Sequence, residues 1–155
     1  TGIMILASSN IEIFNNFISN NKTANTSIVS YFITEEEISD TLYYPYPTSI
    51  YLYNNTYYRD YQFPAFSFTQ PIGFLLAYNF WRDIPDIIYD GILDKNKLGD
   101  NGKLLGDYRI CIKNNINSRI ANIDAGNDFS NVSTDSFDFD CELEKIKPVN
   151  FSIDD

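Results

Sequence analysis

The chain has 155 residues, of which 44% are hydrophobic and 21% are charged, as in a folded globular protein rather than a disordered one. The 21 acidic and 11 basic side chains give a formal net charge of −10, which argues against binding nucleic acid through phosphate contacts. The longest apolar run, residues 71–81, is about half the length of a membrane span. We therefore expect one globular domain over residues 1–155, with no nucleic-acid partner and no membrane span.

The first predicted element is an N-terminal amphipathic helix. Apolar residues recur there at spacings of three and four, as on one helix face: Ile3, Ala7, Ile11, Phe14 and Ile18. Residues 27–33 are rich in β-branched and aromatic residues, which predicts a strand. Thr34 and Glu37 then form a capping-box pattern that predicts a short helical turn.

A tyrosine-rich β-hairpin is predicted next. Residues 49–53 and 57–63 are the two strands, and Asn54-Asn55-Thr56 forms the turn. In the first strand Ile50 and Leu52 alternate with tyrosines, so burial of the aliphatic face would leave the tyrosine face exposed to a partner. The candidate binding residues are Tyr51, Tyr53, Tyr57, Tyr58 and Tyr61. The alternative is that these tyrosines serve only as good strand formers.

The C-terminal half contains a central helix and three more predicted strands. The helix spans about residues 71–82, and a further helical turn or two through residues 87–89 follows Pro85. The strands are predicted over residues 107–113, 118–124 and 137–145. The expected fold class is α+β, with the N-terminal amphipathic helix and the central helix packed on an antiparallel β-sheet.

Two cysteines, Cys111 and Cys141, are predicted to form a disulfide. The strand alternation complicates that pairing, because Cys141 lies on an apolar face whereas Cys111 shares a face with Arg109 and Lys113. The two strands must lie in different layers or be interrupted by a bulge, or else the thiols are free.

Five Asn-x-Ser/Thr sequons add a pointer to the secretory route. They are candidate glycosylation sites at Asn21, Asn25, Asn54, Asn131 and Asn150. Together with the paired cysteines they favour an extracellular or cell-surface location, although an Asn-rich composition would also produce such triplets.

The chain contains no histidine, which excludes Ser-His-Asp and Cys-His nucleophile pairs and His-based zinc sites. No cofactor is predicted, apart from a calcium ion as one interpretation of the loop oxygens of Asp94, Asn96 and Asp100. A plain Asn/Asp/Gly turn region is the other interpretation. For carboxylate catalysis the candidates are Asp83, Asp86 and Asp90 around Trp81, and the alternative is a charged helix face.

These features favour a non-enzymatic extracellular domain, such as an adhesin, surface-layer protein or filament subunit, acting through an aromatic-rich sheet face. Its partner would be a protein, a glycan or a further copy of the chain. One alternative is an acidic intracellular inhibitor, immunity or viral accessory protein that binds a basic partner. The third is a carboxylate-based enzyme acting on glycans.

Overall fold

A six-residue pattern occurs three times in the chain, as IEIFNN at residues 11–16, IYLYNN at 50–55 and ICIKNN at 110–115. The computed structural model, which describes residues 1–68 and 71–148, places the three copies directly above one another in one sheet. Each copy is a strand followed by an Asn-Asn corner. The chain therefore winds as a β-solenoid, in which each coil stacks on the previous one.

Three parallel sheets form the walls of the solenoid. Sheet A has the strand order β1-β4-β7-β9, sheet B the order β2-β5-β8 and sheet C the order β3-β6. The strands are β1 (Ile3–Leu6), β2 (Ser9–Phe14), β3 (Phe17–Ser19), β4 (Thr26–Val29), β5 (Thr48–Tyr53), β6 (Thr56–Tyr58), β7 (Ile87–Tyr89), β8 (Ile110–Lys113) and β9 (Ile120–Asn122). Every pairing between these strands is parallel.

The coils differ in length because insertions leave the solenoid at its corners. The register partners in sheet A are Ile3, Thr26, Ile87 and Ile120, so successive coils contain 23, 61 and 33 residues. Insertion 1 comprises residues 30–47, insertion 2 residues 59–86 and insertion 3 residues 90–109. Insertion 2 includes the α-helix of the described residues, α1 (Ile72–Phe80).

We call the interior of the solenoid the lumen. It is filled by the side chains that point inward from alternate positions of each strand. In sheet B the stacks are Ile11–Ile50–Ile110 and Ile13–Leu52–Ile112. Ile28, Ile50, Leu52, Tyr57 and Ile87 are completely buried there. Stacked β-branched side chains in a dry interior supply most of the apolar burial that holds parallel coils together.

The Asn-Asn corners explain how the chain turns between sheets B and C. The first residue of each pair has left-handed backbone, with φ of 57° at Asn15, 54° at Asn54 and 53° at Asn114, a conformation that Asn tolerates better than most residues. The second residues form a ladder through their side chains. The Asn55 side chain accepts from Asn16 N and donates to Asn115 Oδ1 and Ile13 O. Buried backbone groups at this corner thereby find partners.

Two sheets are also covered on their outer faces. Helix α1 packs Leu76 against Ile88 and Ala121 of sheet A. An extended segment after Phe139 covers sheet B, where Cys141 and Leu143 pack on Tyr51 and Tyr53. We call residues 140–145 the strap.

The expected α+β fold with an antiparallel sheet is therefore wrong. The predicted N-terminal helix is instead β1, β2 and β3, because Ile3, Ile5, Ile11 and Ile13 alternate within short strands rather than along a helix face. The predicted hairpin is also wrong. Strands β5 and β6 belong to different sheets, and Asn54 turns a solenoid corner between them.

Other elements match in part. The central helix is confirmed as α1, and the strands predicted over residues 27–33, 107–113 and 118–124 appear in shorter form as β4, β8 and β9. Residues 87–89 are the strand β7 rather than a helical turn, and the expected turn at Thr34 and Glu37 is replaced by a 3-10 turn (Tyr31–Thr34). The strand predicted over residues 137–145 is wrong, because Phe137–Phe139 is a 3-10 turn and the strap pairs with no sheet.

Candidate partner-binding surface

Insertion 2 presents a continuous group of aromatic side chains on the surface. We call this group the aromatic patch, and it consists of Tyr61, Phe63, Phe66, Phe68, Phe74 and Trp81. The loop at 61–68 supplies four of these rings, and α1 together with the residue that follows it supplies the other two. Gly73 allows the loop to approach the helix closely, because a Cβ atom there would lie 2.0 Å from Ala65 O.

Five of the six rings of the patch contact one another in sequence, and Tyr61 is joined to them through Arg82, which lies over the Tyr61 and Phe63 rings. Phe68 and Phe66 both pack on Phe74, with centroid distances of 5.9 and 4.9 Å, and Phe66 lies 6.0 Å from Phe63. Phe63 in turn meets Trp81 edge to face at 4.8 Å. These geometries are typical of aromatic clusters, in which offset and edge-to-face contacts are favoured.

The patch stays exposed in spite of these contacts. Phe68 is 98% exposed, Trp81 62% and Tyr61 58%. The guanidinium of Arg82 lies 4.8 Å from the centre of the Tyr61 ring and donates to Tyr61 O, which adds one cation at the edge of the patch. Contiguous exposed aromatic surface of this kind usually marks a site of interaction.

The tyrosines predicted to form a binding face are divided by the structure. Tyr58 and Tyr61 are exposed, whereas the expectation that Tyr51, Tyr53 and Tyr57 would be exposed is wrong. Tyr57 points into the lumen and is fully buried. Tyr51 and Tyr53 face outward, opposite Ile50 and Leu52, but the strap covers them. The alternation is present in β5, but a strand pattern carries no information about a second layer on its outer face.

The predicted disulfide between Cys111 and Cys141 is confirmed. The position of the disulfide also explains how a cysteine that shares a face with Arg109 and Lys113 can pair with Cys141. Cys111 points outward from β8, in register with Tyr51, and Cys141 reaches it from the strap in a separate layer. Lys113, next along the same outer face, pairs with Asp140 at 2.6 Å. The alternative in which the strands lie in different layers is thus the nearest to the structure.

Of the three residues considered for calcium, Asp94 has both carboxylate oxygens already engaged. Asp94 is buried and accepts from Asn96 N through Oδ1 and from Tyr44 Oη through Oδ2. Burial, and then this hydrogen bond with Asp94, raises the pKa of Tyr44 to about 12. Asp100 and Asn96 are exposed. Within residues 1–68 and 71–148 no group of three or more His, Cys, Asp or Glu side chains could hold a metal ion.

The carboxylates considered for catalysis have structural partners. Asp86 accepts from Asn25 Nδ2 at 2.8 Å, and Asp90 accepts from the backbone N–H groups of Ser30 and Ile92. Burial raises the pKa of Asp86 and also that of Asp90, which is completely buried. Asp83 forms an exposed ion pair with Arg119. These contacts connect neighbouring coils, and the carboxylate pair of the catalytic hypothesis gains no support from them.

The sequons fall into three groups. Asn54 and Asn131 are exposed, and Asn150 lies outside the described residues. Asn21 is half-buried and Asn25 is fully buried, and both use their amide nitrogens in hydrogen bonds to the chain. A glycan on Asn25 would break the bonds that join its coil to Asp86 and to Tyr58 O, so Asn54 and Asn131 are the accessible acceptors in the part of the chain that the structure describes.

No protein-family model, curated protein or solved structure matches the chain. Within the described ranges, no helix has the length and apolar character that crossing a membrane requires. The hairpin predicted over residues 49–63 contains Tyr61 and Phe63, and the helix predicted over residues 71–82 contains Phe74 and Trp81, so the sequence does not show the aromatic patch as one surface. The detectable signal was four aromatic residues between positions 61 and 68, interrupted by Pro64 and therefore unsuited to a central strand.

Proposed function

We propose that this chain is a non-enzymatic extracellular or cell-surface domain that binds a partner protein through the aromatic patch. The observation that carries the proposal is that the rings of the patch contact one another and still stay exposed. They lie on an insertion whose described residues supply no strand to the three sheets of the solenoid. Loops placed on a rigid scaffold are where binding residues are most often found.

The residue types of the patch suit a protein partner. Trp, Tyr and Phe are enriched at the centres of protein interfaces, together with Arg, and here Arg82 lies beside Tyr61 and Phe63. Burying a side chain as exposed as Phe68 would contribute about 1.5 to 3 kcal/mol. The existing ring contacts hold the patch in place, which lowers the entropy lost on binding.

Charge favours a partner other than a second copy. Each copy carries a formal charge of −10, so two copies repel at low ionic strength. A protein that offers apolar side chains surrounded by lysine or arginine would instead be attracted and oriented. The disulfide supports an extracellular setting, since such bonds persist in oxidising compartments.

The test is binding of the full chain to an array of extracellular protein domains, with a glycan array in parallel. Phe68→Ser and Trp81→Ser should each weaken binding about 30-fold, the effect of an interface residue contributing about 2 kcal/mol. Tyr78→Ser is the matched control, because Tyr78 lies on the same helix, is 89% exposed and makes no ring contact with the patch among the described residues. Its affinity should equal that of the wild type.

Two results would contradict the proposal. Partner binding that survives both patch substitutions would place the interface elsewhere. Patch-dependent binding to glycans alone would make the ligand a carbohydrate. The compartment is checked separately by the intact mass of the natural protein with and without reduction, where free thiols would favour the intracellular alternative.

A further inference from the structure

A second surface feature, separate from the aromatic patch, lies at the last coil of the solenoid. It is a cavity of about 710 Å³ bordered by insertion 3, by Tyr89 and Asn122 at the ends of β7 and β9, and by residues 137–141. This volume is in the range of small-molecule sites. Its apolar wall includes Leu93, Leu104, Leu105, Ile110, Phe137 and Phe139.

One residue that lines this cavity has a buried polar group without a partner. Tyr89 is 97% buried, packs edge to face on Phe139, and its Oη makes no hydrogen bond within the described residues. Burial, and then the nearby Asp90, raises the pKa of Tyr89, so the hydroxyl stays protonated and can donate. A buried hydroxyl without a partner costs stability unless a bound molecule satisfies it.

Arg109 supplies further unused donors to the cavity. Arg109 donates its Nε to Gly106 O, and its two terminal nitrogens form no bond or ion pair within the described ranges. The two carboxylates of the cavity are each neutralised by a lysine, because Asp138 pairs with Lys103 and Asp140 pairs with Lys113. A ligand that completes this set must therefore supply acceptors, and a carboxylate is the natural partner of a guanidinium.

We propose that this cavity binds a small organic carboxylate of about monosaccharide size that has one apolar face. Its carboxylate pairs with Arg109, and a further acceptor oxygen takes the hydrogen bond from Tyr89 Oη. Its apolar face lies on Phe137, which is 79% exposed at the border of the cavity. Both sugar acids and aromatic acids have this chemistry.

The cavity wall formed by residues 137–141 is fixed before any ligand arrives. The disulfide joins Cys141 to β8, and the ion pairs of Asp138 and Asp140 hold the same segment at two further points. A site fixed in this way loses little entropy on binding, which matters for a small ligand with few contacts.

The experiment is an NMR titration of the full chain with D-glucuronate and, separately, with phenylacetate. D-glucose and 2-phenylethanol are the matched neutral probes. Saturable shifts are expected in residues 101–110 and 137–141 with at least one carboxylate, and the arm that saturates identifies the sugar-acid or aromatic-acid class. Arg109→Gln should weaken that binding about tenfold, the loss of a charge-assisted bond of about 1.5 kcal/mol.

Tyr89→Phe is the second variant. It removes a buried oxygen that bonds to nothing in the described chain, so the variant should melt at or above the wild-type temperature while its affinity falls about threefold or more. Tyr78→Phe and Lys95→Gln, both at exposed positions away from the cavity lining, are the controls and should bind as the wild type does. The proposal is overturned if neither carboxylate shifts these residues at about 10 mM. Equal binding of the neutral probes, or full affinity in both variants, would overturn it as well.

Discussion

The coils of this chain and the aromatic patch of insertion 2 use apolar residues in opposite ways. In the coils Ile28, Ile50 and Leu52 are completely buried in the lumen, whereas Phe68 and Trp81 of insertion 2 are 98% and 62% exposed. The coil residues are stacked by strands above and below them, and their positions follow from the register of the parallel sheets. The insertions leave at corners and have no register to maintain. The fold therefore depends on the coils, and the surfaces available for binding lie on the insertions.

This separation explains the unequal coil lengths. Lengthening a loop between two fixed ends costs free energy only slowly, so a solenoid corner accepts insertions as long as residues 59–86 without disturbing the stack. Insertions 1 and 3 leave from the same corner on successive coils, and the hydrogen bond from Tyr44 to Asp94 joins them. The insertions thus form their own contacts outside the sheets.

The comparison between coils and insertions is tested most strongly in the lumen, where we expect the largest loss in the free energy of unfolding. Leu52→Ala should lower the free energy of unfolding by about 3 to 4 kcal/mol, because it leaves a cavity between Ile13 and Ile112 in a close-packed stack. Phe68→Ser in insertion 2 is the matched substitution and should change the same quantity by less than about 0.5 kcal/mol. Urea unfolding of the two variants measures both. Similar losses in the two would show that the insertion also supports the fold.

A smaller effect is expected for the strap, which belongs to neither a coil nor an insertion. Cys141→Ala opens a disulfide that closes a 30-residue separation and should cost about 3 kcal/mol. The same change should release the cover from Tyr51 and Tyr53. Nitration of tyrosines followed by peptide mass analysis would detect their exposure.

Tyr57 is the internal control in that experiment. It faces the lumen rather than the strap, so it should stay protected in the variant. Modification of all three tyrosines together would mean that the variant unfolds globally. Continued protection of Tyr51 and Tyr53 would show that the strap remains in place without its disulfide.

The sequence predicted the local features of this molecule better than its architecture. The alternation of Ile50 and Leu52 against two tyrosines is present in the structure, and so are the disulfide and α1. The order of the sheets was not predicted, because parallel pairing depends on residues 39 and 60 positions apart, as between Ile11, Ile50 and Ile110. Insertions of unequal length separate the three Asn-Asn copies, so no fixed period appears.

The candidate sites show the same limit. The exposure of Tyr51 depends on a strap more than 80 residues further along the chain, which no local pattern contains. The apparent helix at residues 3–18 arose because short strands with two inward residues each, joined by corners, also place apolar residues three or four positions apart. The Asn-Asn pairs that follow β2, β5 and β8 were the available sign of corners, because Asn tolerates left-handed backbone.

The smallest expected effect concerns the contacts between coils at Asp86. Burial raises the pKa of this carboxyl above its ordinary value of 3.8, despite the hydrogen bond from Asn25 and the nearby arginines. The folded state therefore binds the proton more tightly than the unfolded state does. The resulting stabilisation is fully present below pH 3.8 and is lost as the pH rises through the raised pKa.

Asp86→Asn removes this titration while its side-chain oxygen can still accept from Asn25 Nδ2. The stability of the variant relative to the wild type should therefore increase as the pH rises from below 3.8, and then level off above the raised pKa. Urea unfolding of both proteins across that pH range measures the difference. Asp100→Asn removes one negative charge from an exposed position, and its curve corrects for the change in net charge. A relative stability that instead falls with pH would mean that Asn25 and the arginines, rather than burial, dominate the environment of Asp86.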